Sequence, residues 1–194
     1  MRIAQVAPLY EAVPPKKYGG TERILSYLTE ELVAMGHDVT LFASGDSITA
    51  ARLESVCKCA LRLDPFYHDK IAPHIMQEQR VIELQQQFDF MHFHTDYLYF
   101  PYQANCPIPN ASTLHGRLDF SFLQPLYDTF HRAPLFGISH SQISFLPDAN
   151  WRGVVYHGLP EDLYTYRSQP RGDYLAFLGR ISPEKRADRA VEIA

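Results

Sequence analysis

Two segments of the sequence combine glycine with charged side chains at points where a buried strand gives way to a helix. The first of them reads Tyr18-Gly19-Gly20-Thr21-Glu22-Arg23. Consecutive glycines let the backbone approach a ligand closely, and the N-terminus of the following helix presents unpaired amides and a positive dipole end. Gly19 and Gly20 are therefore suited to an anion site, although a bare pair of glycines more often only tightens a turn. The G-x-G-x-x-G fingerprint is absent, so no dinucleotide cofactor is predicted.

The second segment lies near the end of the chain and reads Gly179-Arg180-Ile181-Ser182-Pro183-Glu184-Lys185. Arg180 and Lys185 flank a proline turn after an apolar run. Such a pair is suited to gripping a diphosphate, because arginine binds phosphate oxygens bidentately and lysine adds a point charge. The alternative is an exposed helix face whose charges are only solvated.

Histidines form a third group of candidate residues. His92 and His94 stand at the end of one strand-like run, and His115 with Gly116 closes another. Because the carboxyl ends of adjacent parallel strands meet at one edge of a sheet, these side chains are expected to lie together. Histidine there donates to a substrate hydroxyl or relays a proton; capping the sheet is the structural alternative. A His-x-His pair without a carboxylate partner such as Asp96 does not predict a metal site.

Composition excludes several classes of partner. The 18 Lys+Arg and 22 Asp+Glu give a formal net charge of -4, which provides no electrostatic footprint for nucleic acid or an anionic membrane. The three cysteines form neither an even disulfide set nor a zinc spacing. With no secretory leader and no apolar run of membrane-spanning length, we expect a cytoplasmic protein without a transmembrane segment.

Short apolar runs alternate with longer amphipathic stretches along most of the chain. This alternation predicts an α/β fold, a Rossmann-like doubly wound parallel sheet with helices on both faces. Strands are predicted at residues 3–7, 39–43, 90–93, 111–114, 135–138 and 153–156, and helices at about 20–35, 69–87, 120–131 and 139–146. The long loop 9–18 is predicted to be a mobile lid over a site at the strand ends.

The pattern changes after residue 156 and predicts three parts. Residues 1–160 form the Rossmann-like domain, 161–172 a linker rich in turn formers, and 173–194 the first strand and helix of a second, truncated Rossmann-like domain. A lone strand and helix cannot bury their apolar faces against each other. We therefore expect the chain to be a fragment, with a possible dimer through the strand at 173–178.

Six segments, taken in order, resemble the GT-B glycosyltransferases of family 4, the group 1 type glycosyl transferases. The segments are Tyr18-Gly19-Gly20-Thr21-Glu22-Arg23, His92-Phe93-His94, Thr113-Leu114-His115-Gly116, Ile138-Ser139-His140-Ser141, Val155-Tyr156-His157-Gly158-Leu159 and Phe177 to Lys185. The resemblance covers essentially the entire chain. Two positions depart from the common pattern: Arg186 follows the lysine where glycine is usual, and His157 precedes Gly158 where asparagine is usual.

The resemblance implies a two-domain enzyme that transfers a sugar from a nucleotide-sugar donor to an acceptor, here unidentified, with retention of anomeric configuration and without a metal or cofactor. The first domain would bind the acceptor and the second the donor. By the same resemblance His115 would sit beside the transferred sugar as a catalytic residue, and Arg180 and Lys185 would neutralise the departing diphosphate. The implied substrate-binding residues are Gly19, Gly20, Thr21, Glu22, His94 and Gly116.

Other readings of the sequence stay open. A non-catalytic anion- or sugar-binding module, or an assembly module, would keep the same Rossmann scaffold, because a fold alone does not specify an activity. An epimerase or phosphorylase of GT-B type would differ in second-domain residues. The resemblance also implies that the base- and ribose-binding parts lie beyond Ala194, so the isolated 194-residue chain is expected to be inactive.

Overall fold

The computed structural model describes residues 1–62, 64–103, 105–169, 172 and 174–194. The chain divides into two compact units, Met1–Pro160 and Glu161–Ala194. No helix within the described ranges is long and apolar enough to cross a lipid bilayer.

The first unit is built on a sheet of seven strands that are all parallel. Their order across the sheet is β3-β2-β1-β4-β5-β6-β7, and every described strand pair runs in the same direction. The predicted α/β doubly wound fold is therefore confirmed. The strands are β1 (Arg2–Val6), β2 (Asp38–Phe42), β3 (Arg52–Glu54), β4 (Phe90–Phe93), β5 (Asn110–Thr113), β6 (Leu135–Gly137) and β7 (Trp151–Val154).

Helices cross between the strands of this unit. They are α1 (Gly20–Ala34), α2 (Ile71–Leu84, continued by a 3-10 turn at Gln85–Gln87), α3 (Phe100–Gln103), α4 (Leu123–Thr129) and α5 (His140–Ile143). Successive residues of a strand point to opposite faces, and both faces are covered. Leu41 packs in one core with Leu25 of α1, whereas the next residue, Phe42, packs in another with Val81 of α2.

The strand order reverses between β1 and β4. The chain runs outward from β1 through β2 to β3, then returns to place β4 on the other side of β1. Loops that follow β1 and β4 therefore diverge to opposite faces of the sheet, which opens a crevice at their carboxyl ends. In open α/β sheets this is where ligands bind.

The sequence pattern missed two short elements. Strand β3 contains only Arg52, Leu53 and Glu54, and a single apolar residue between two charged ones gives no strand signal. Helix α3 spans four residues, fewer than the pattern of a helix requires to be recognised.

The predicted lid at residues 9–18 is wrong for its first half. Leu9, Ala12 and Val13 are buried. The backbone amide of Leu9 donates to Nε2 of His74 at 3.1 Å, and that of Val13 donates to Oγ of Ser47 at 2.9 Å. Apolar burial with satisfied backbone groups makes Leu9, Ala12 and Val13 part of the core, so this half of the loop is anchored and does not form a lid.

The second unit contains a 3-10 turn at Pro183–Lys185 and helix α6 (Ala187–Ile193). Arg186 between them has φ 52°, a left-handed conformation that favours glycine. Within the described part of the segment, residues 174–178 form no strand, contrary to the prediction. A strand needs a neighbour to take up its backbone hydrogen bonds, and this unit supplies none among its described residues. Asp173 and the linker positions 170 and 171 lie outside the described residues.

Candidate functional site

A cavity of about 300 Å³ lies at the carboxyl ends of β1 and β4, where the strand order reverses. Its walls come from the glycine loop before α1 and from the loop after β4. Its lining is Pro8, Tyr10, Tyr18, Gly19, Gly20, Thr21, Glu22, Arg62, His94, Thr95, Asp96, Tyr97 and Leu98. Five of the candidate residues identified from the sequence, Gly19 to Glu22 and His94, therefore line one cavity in the structure.

The two glycines of the loop have different structural roles. Gly19 has φ 150°, and a Cβ built on it would lie 2.7 Å from Cβ of Pro15, so a side chain at this position would clash. Gly20 has no atom within 4 Å of the corresponding point. Gly19 is therefore required by the fold, whereas the open space over Gly20 is available to a ligand that approaches the first amides of α1.

Glu22 is a buried carboxyl group within the first turn of α1. Its side chain is only 5% exposed. Burial raises its pKa, because a desolvated carboxylate is less stable than the protonated acid, and hydrogen bonds from the backbone of Glu22 and Glu11 partly offset this shift. The carboxyl group sits where a bound anion would approach the helix, so its charge state bears directly on anion binding.

Thr95 and Asp96 supply polar groups to the opposite wall of the cavity. The hydroxyl of Thr95 is buried and has no hydrogen-bond partner within the described part of the chain. Asp96 has φ 52°, and burial raises its pKa while a hydrogen bond from the backbone of His115 lowers it. A Cβ at Gly116 would lie 3.8 Å from the Asp96 carboxylate. Asp96 thus joins the loop after β4 to the loop after β5.

Three histidines from three strand ends form a continuous hydrogen-bonded chain, which we call the histidine chain. Nδ1 of His94 lies 2.9 Å from Nε2 of His115, and Nδ1 of His115 lies 3.1 Å from Nε2 of His157. At the inner end, Nε2 of His94 lies 2.8 Å from Oε1 of Gln5 on β1. Among the described residues no group of three His, Cys, Asp or Glu side chains is arranged to hold a metal ion.

The environment keeps the histidine chain uncharged near neutral pH. Burial is the largest cause in each case: it lowers the pKa of His94 well below 6.5, that of His115 to about 3, and that of His157 by a smaller amount. Mutual repulsion adds to this for His94 and His115, because a second positive charge so close is unfavourable. Each ring therefore carries one proton.

His92 lies beside the histidine chain without belonging to it. Its ring centroid is 4.1 Å from that of His94, and its Nε2 lies 2.7 Å from Oγ1 of Thr113. Burial lowers its pKa to about 4. His92 is thus a neutral packing and hydrogen-bonding partner within the sheet edge.

Gln142 of α5 fixes the loop that carries His115. Its Nε2 donates to the carbonyl oxygens of Leu114 at 2.9 Å and Gly116 at 2.8 Å, and its Oε1 accepts from the amide of Ile138 at 2.9 Å. Ser139 immediately precedes α5, the short helix that holds Gln142, and its hydroxyl accepts from the Gln142 amide at 3.0 Å. Ser139 is thus the N-cap of α5.

The predicted site residues fall into two groups. Gly19, Gly20, Thr21, Glu22 and His94 line the cavity, and His115 and Gly116 are linked to it through His94 and Asp96. Arg180 and Lys185 belong to the second unit. There Nη2 of Arg180 lies 2.9 Å from Oε1 of Glu184, and Lys185 is exposed in the 3-10 turn.

Sequence reasoning missed Gln5, Thr95 and the role of His157 as a member of the chain. A signal existed for Gln5, because a glutamine interrupts the otherwise apolar run of a central strand and is 1% exposed. Buried polar side chains need partners. His157 was assigned only to the end of a domain, since nothing in its local sequence indicates a neighbour 42 residues earlier.

Comparison with known proteins adds independent evidence. The family model described as Glycosyltransferase Family 4 matches residues 18–153, a range that contains most of the cavity lining and two members of the histidine chain. No curated protein sequence matches this chain significantly.

Several solved structures resemble the chain. Sucrose-phosphate synthase from Thermosynechococcus elongatus aligns with a TM-score of 0.53 at 11% identity, over 78% of this chain and 47% of that one. AviGT4, a glycosyltransferase involved in avilamycin A biosynthesis, aligns at 0.48 and 18% identity over 75% and 38%. The glycotransferase of kitacinnamycin aligns at 0.39 and 21% over 66% and 35%. The first of these shares the fold. The chain spans less than half the length of each structure.

Proposed function

Because the chain belongs to glycosyltransferase family 4, we propose that its protein transfers a sugar from a nucleotide-sugar donor to an acceptor hydroxyl, with retention of anomeric configuration and without a metal. The observation that carries the proposal is the cavity at the strand-order reversal, where the glycine loop of α1 faces His94 and the loop after β4. Sugar transfer needs an anion site for the diphosphate close to hydroxyl-binding groups, and this crevice supplies candidates for both.

In this proposal the donor diphosphate lies against Gly19 and Gly20. The open space over Gly20 admits a phosphate oxygen to the first amides of α1, which carry the positive end of the helix dipole. Thr21 lines the same cavity and offers a hydroxyl. Burial raises the pKa of Glu22, so this carboxyl group takes up a proton beside a bound phosphate more readily than an exposed carboxylate would.

The acceptor side of the reaction is assigned to the loops after β4 and β5. Thr95 and Asp96 line the cavity, and the Asp96 carboxyl group and the Thr95 hydroxyl, which no described residue partners, are suited to binding hydroxyl groups. His115 takes the position beside the transferred sugar that the family resemblance implies. It is neutral near pH 7, since its pKa is lowered to about 3, so its contribution to the sugar site is not that of a charge.

Arg180 and Lys185 are assigned to the leaving diphosphate. Negative charge develops on that group as the glycosidic bond breaks, and fixed cations stabilise it most in a site from which water is excluded. Removal of either side chain should lower kcat on the order of a hundredfold. Arg189→Ala in α6 is the matched control, because it removes an exposed cation of the same unit that the proposal leaves unused.

The test is to incubate the full-length protein with nucleotide sugars and to measure release of nucleoside diphosphate. Turnover that persists in EDTA, with a product anomer of the donor's configuration by NMR, is the expected result. A protein that binds nucleoside diphosphates but turns over no donor would instead be a non-catalytic binding module. An inverted anomer would exclude the retaining mechanism.

Two matters of context remain predictions from the sequence. The protein is expected in the cytoplasm, which cell fractionation tests. Self-association through residues 174–178 is tested by light scattering. Leu175 and Leu178 are 69% and 100% exposed, so charged substitutions there should abolish a dimer that uses this segment.

A further inference from the structure

The histidine chain has a direction, and Gln5 sets it. An amide oxygen can only accept a hydrogen bond, so Nε2 of His94, 2.8 Å from Oε1 of Gln5, must carry the proton. A neutral imidazole holds one proton, which leaves Nδ1 of His94 as an acceptor. The nitrogen that faces it, Nε2 of His115 at 2.9 Å, must then donate.

The same reasoning applies to His157, at the exposed end of the histidine chain. With its proton on Nε2, His115 has an acceptor Nδ1, and Nε2 of His157 at 3.1 Å donates to it. The Nδ1 atom of His157 is consequently an unprotonated acceptor, and no described residue donates a hydrogen bond to it. Both ring nitrogens of His115 are occupied by other histidines in this arrangement.

We propose that His157 is a substrate-binding residue whose Nδ1 accepts a hydrogen bond from a substrate hydroxyl, and that Gln5 and His94 are positioning residues that fix the tautomers of the chain. This inference rests on the proposed sugar transfer for the identity of the substrate. His157 belongs to the same compact unit as the cavity, its side chain is exposed, and it follows β7 at the same edge of the sheet. His115 then acts through His157 rather than by offering a nitrogen of its own.

The arrangement suits a hydroxyl ligand more than a phosphate. An unprotonated imidazole nitrogen accepts from a hydroxyl but has no proton to give to an oxyanion. Protonation that would reverse this is opposed along the chain, because burial favours the neutral form of all three rings. The histidine chain therefore presents Nδ1 of His157 to the ligand as a fixed hydrogen-bond acceptor near neutral pH.

The first experiment is NMR of the chain labelled with 15N-histidine, in which nitrogen shifts distinguish the protonated from the unprotonated ring nitrogen. We expect Nε2–H tautomers for His94, His115 and His157. Gln5→Leu should leave the tautomers mixed, and Gln5→Glu, which keeps an acceptor oxygen, should restore the Nε2–H form. Thr113→Val removes the partner of His92 and is the matched control that should leave the three rings unchanged. Nδ1–H tautomers in the wild type, or no response to Gln5→Leu, would overturn the proposal.

The second experiment uses the full-length protein. His157→Phe keeps an aromatic ring but has no acceptor nitrogen, and should lower both kcat and kcat/KM roughly tenfold, as expected for the loss of one hydrogen bond. Gln5→Leu should lower kcat by less with little change in KM, and Gln5→Glu should recover it. Wild-type kinetics in His157→Phe would refute the role of His157 while sugar transfer stands. A wild type that turns over no donor would refute the proposed function and the substrate role together, whereas the tautomers are judged by NMR alone.

Discussion

Gly19 lies so close to Pro15 that a Cβ atom on it would stand 2.7 Å from Cβ of the proline. Its neighbour Gly20 has no atom within 4 Å of the same point. The two adjacent glycines can therefore be substituted to separate what the fold requires from what a ligand requires.

We expect Gly19→Ala to destabilise the protein, because it introduces both a steric clash and a strained positive φ. The expected loss in unfolding free energy is about 1–3 kcal/mol, measured by urea denaturation. Gly20→Ala should unfold like the wild type yet bind nucleoside diphosphate more weakly, measured by calorimetry on the full-length protein. Equal binding by Gly20→Ala and wild type would argue against phosphate at this loop.

Glu22→Gln should stabilise the protein at pH 7, because it removes a buried charge and keeps an amide oxygen for the backbone hydrogen bonds. Burial raises the folded-state pKa of Glu22 above its value of 4.5 in the unfolded chain, so the wild type gains stability as pH falls through the folded pKa. The advantage of the variant should be largest at pH 7 and shrink toward pH 4.5. Urea midpoints across this range provide the measurement, and a constant difference would contradict the assignment.

A diphosphate bound at the glycine loop should take up a proton through Glu22. A nearby negative charge raises the pKa of a carboxyl group further, so affinity for nucleoside diphosphate should fall as pH rises through the pKa of Glu22. Glu22→Gln should bind more tightly at pH 8 and lose this part of the pH dependence. Calorimetry in buffers of different ionisation enthalpy reports the proton uptake, which should be smaller in the variant by the part that Glu22 contributes.

Acid should weaken the fold through its neutral histidines. The pKa of His92 is lowered from 6.5 to about 4, so the unfolded state binds a proton that the folded state refuses. This part of the stability is complete above pH 6.5 and is lost as pH falls toward 4, by up to about 1.4 kcal/mol per pH unit. His92→Asn should show a shallower fall than wild type. Glu22 and Asp96 contribute the opposite slope in both proteins, so the difference between the two curves isolates His92.

Gln142→Leu should destabilise the loop that holds His115. It leaves the buried carbonyl of Leu114 and the amide of Ile138 without the partners they have now, at a cost of about 2–4 kcal/mol in unfolding free energy. Gln79→Ala is the control, because Gln79 is exposed and, among the described residues, its side chain bonds only to Glu83 in the next turn; its effect should stay below about 0.5 kcal/mol. Comparable losses in the two variants would mean that the hydrogen bonds of Gln142 contribute little to stability.

The sequence predicted the elements with strong patterns. The buried runs that became β1 and β4 and the amphipathic stretch of α1 are long enough for periodicity to identify them. The α1 helix also ends at Ala34, close to its predicted boundary at residue 35, and Gly36 just beyond it has φ 85°. Strand β3 forms because Thr40 and Phe42 of β2 offer it backbone partners, which is information that its own three residues do not contain.

Only those parts of the site that lie at the ends of adjacent predicted strands could be predicted from the sequence. Because His94 and His115 follow adjacent parallel strands, their proximity follows from the topology of the sheet. Nδ1 of His94 and Nε2 of His115 lie 2.9 Å apart. The partnership of His115 with His157 depends on the order of β5, β6 and β7 across the sheet. The direction of the hydrogen bonds in the histidine chain depends on one amide oxygen within β1. Neither this direction nor the contact between His115 and His157 could be read from local sequence.

Gln5 is the one member of this network that lies inside a strand, paired in register with Leu41 and His92. A shift of β1 by a single residue would turn its amide to the opposite face of the sheet and bring Ala4 or Val6 against His94 instead. The alignment of the central strand and the protonation pattern of three distant rings are thereby tied together. A molecule with β1 out of register could keep native helix content, but the nitrogen NMR shifts of its imidazole rings would still differ from those of the native protein.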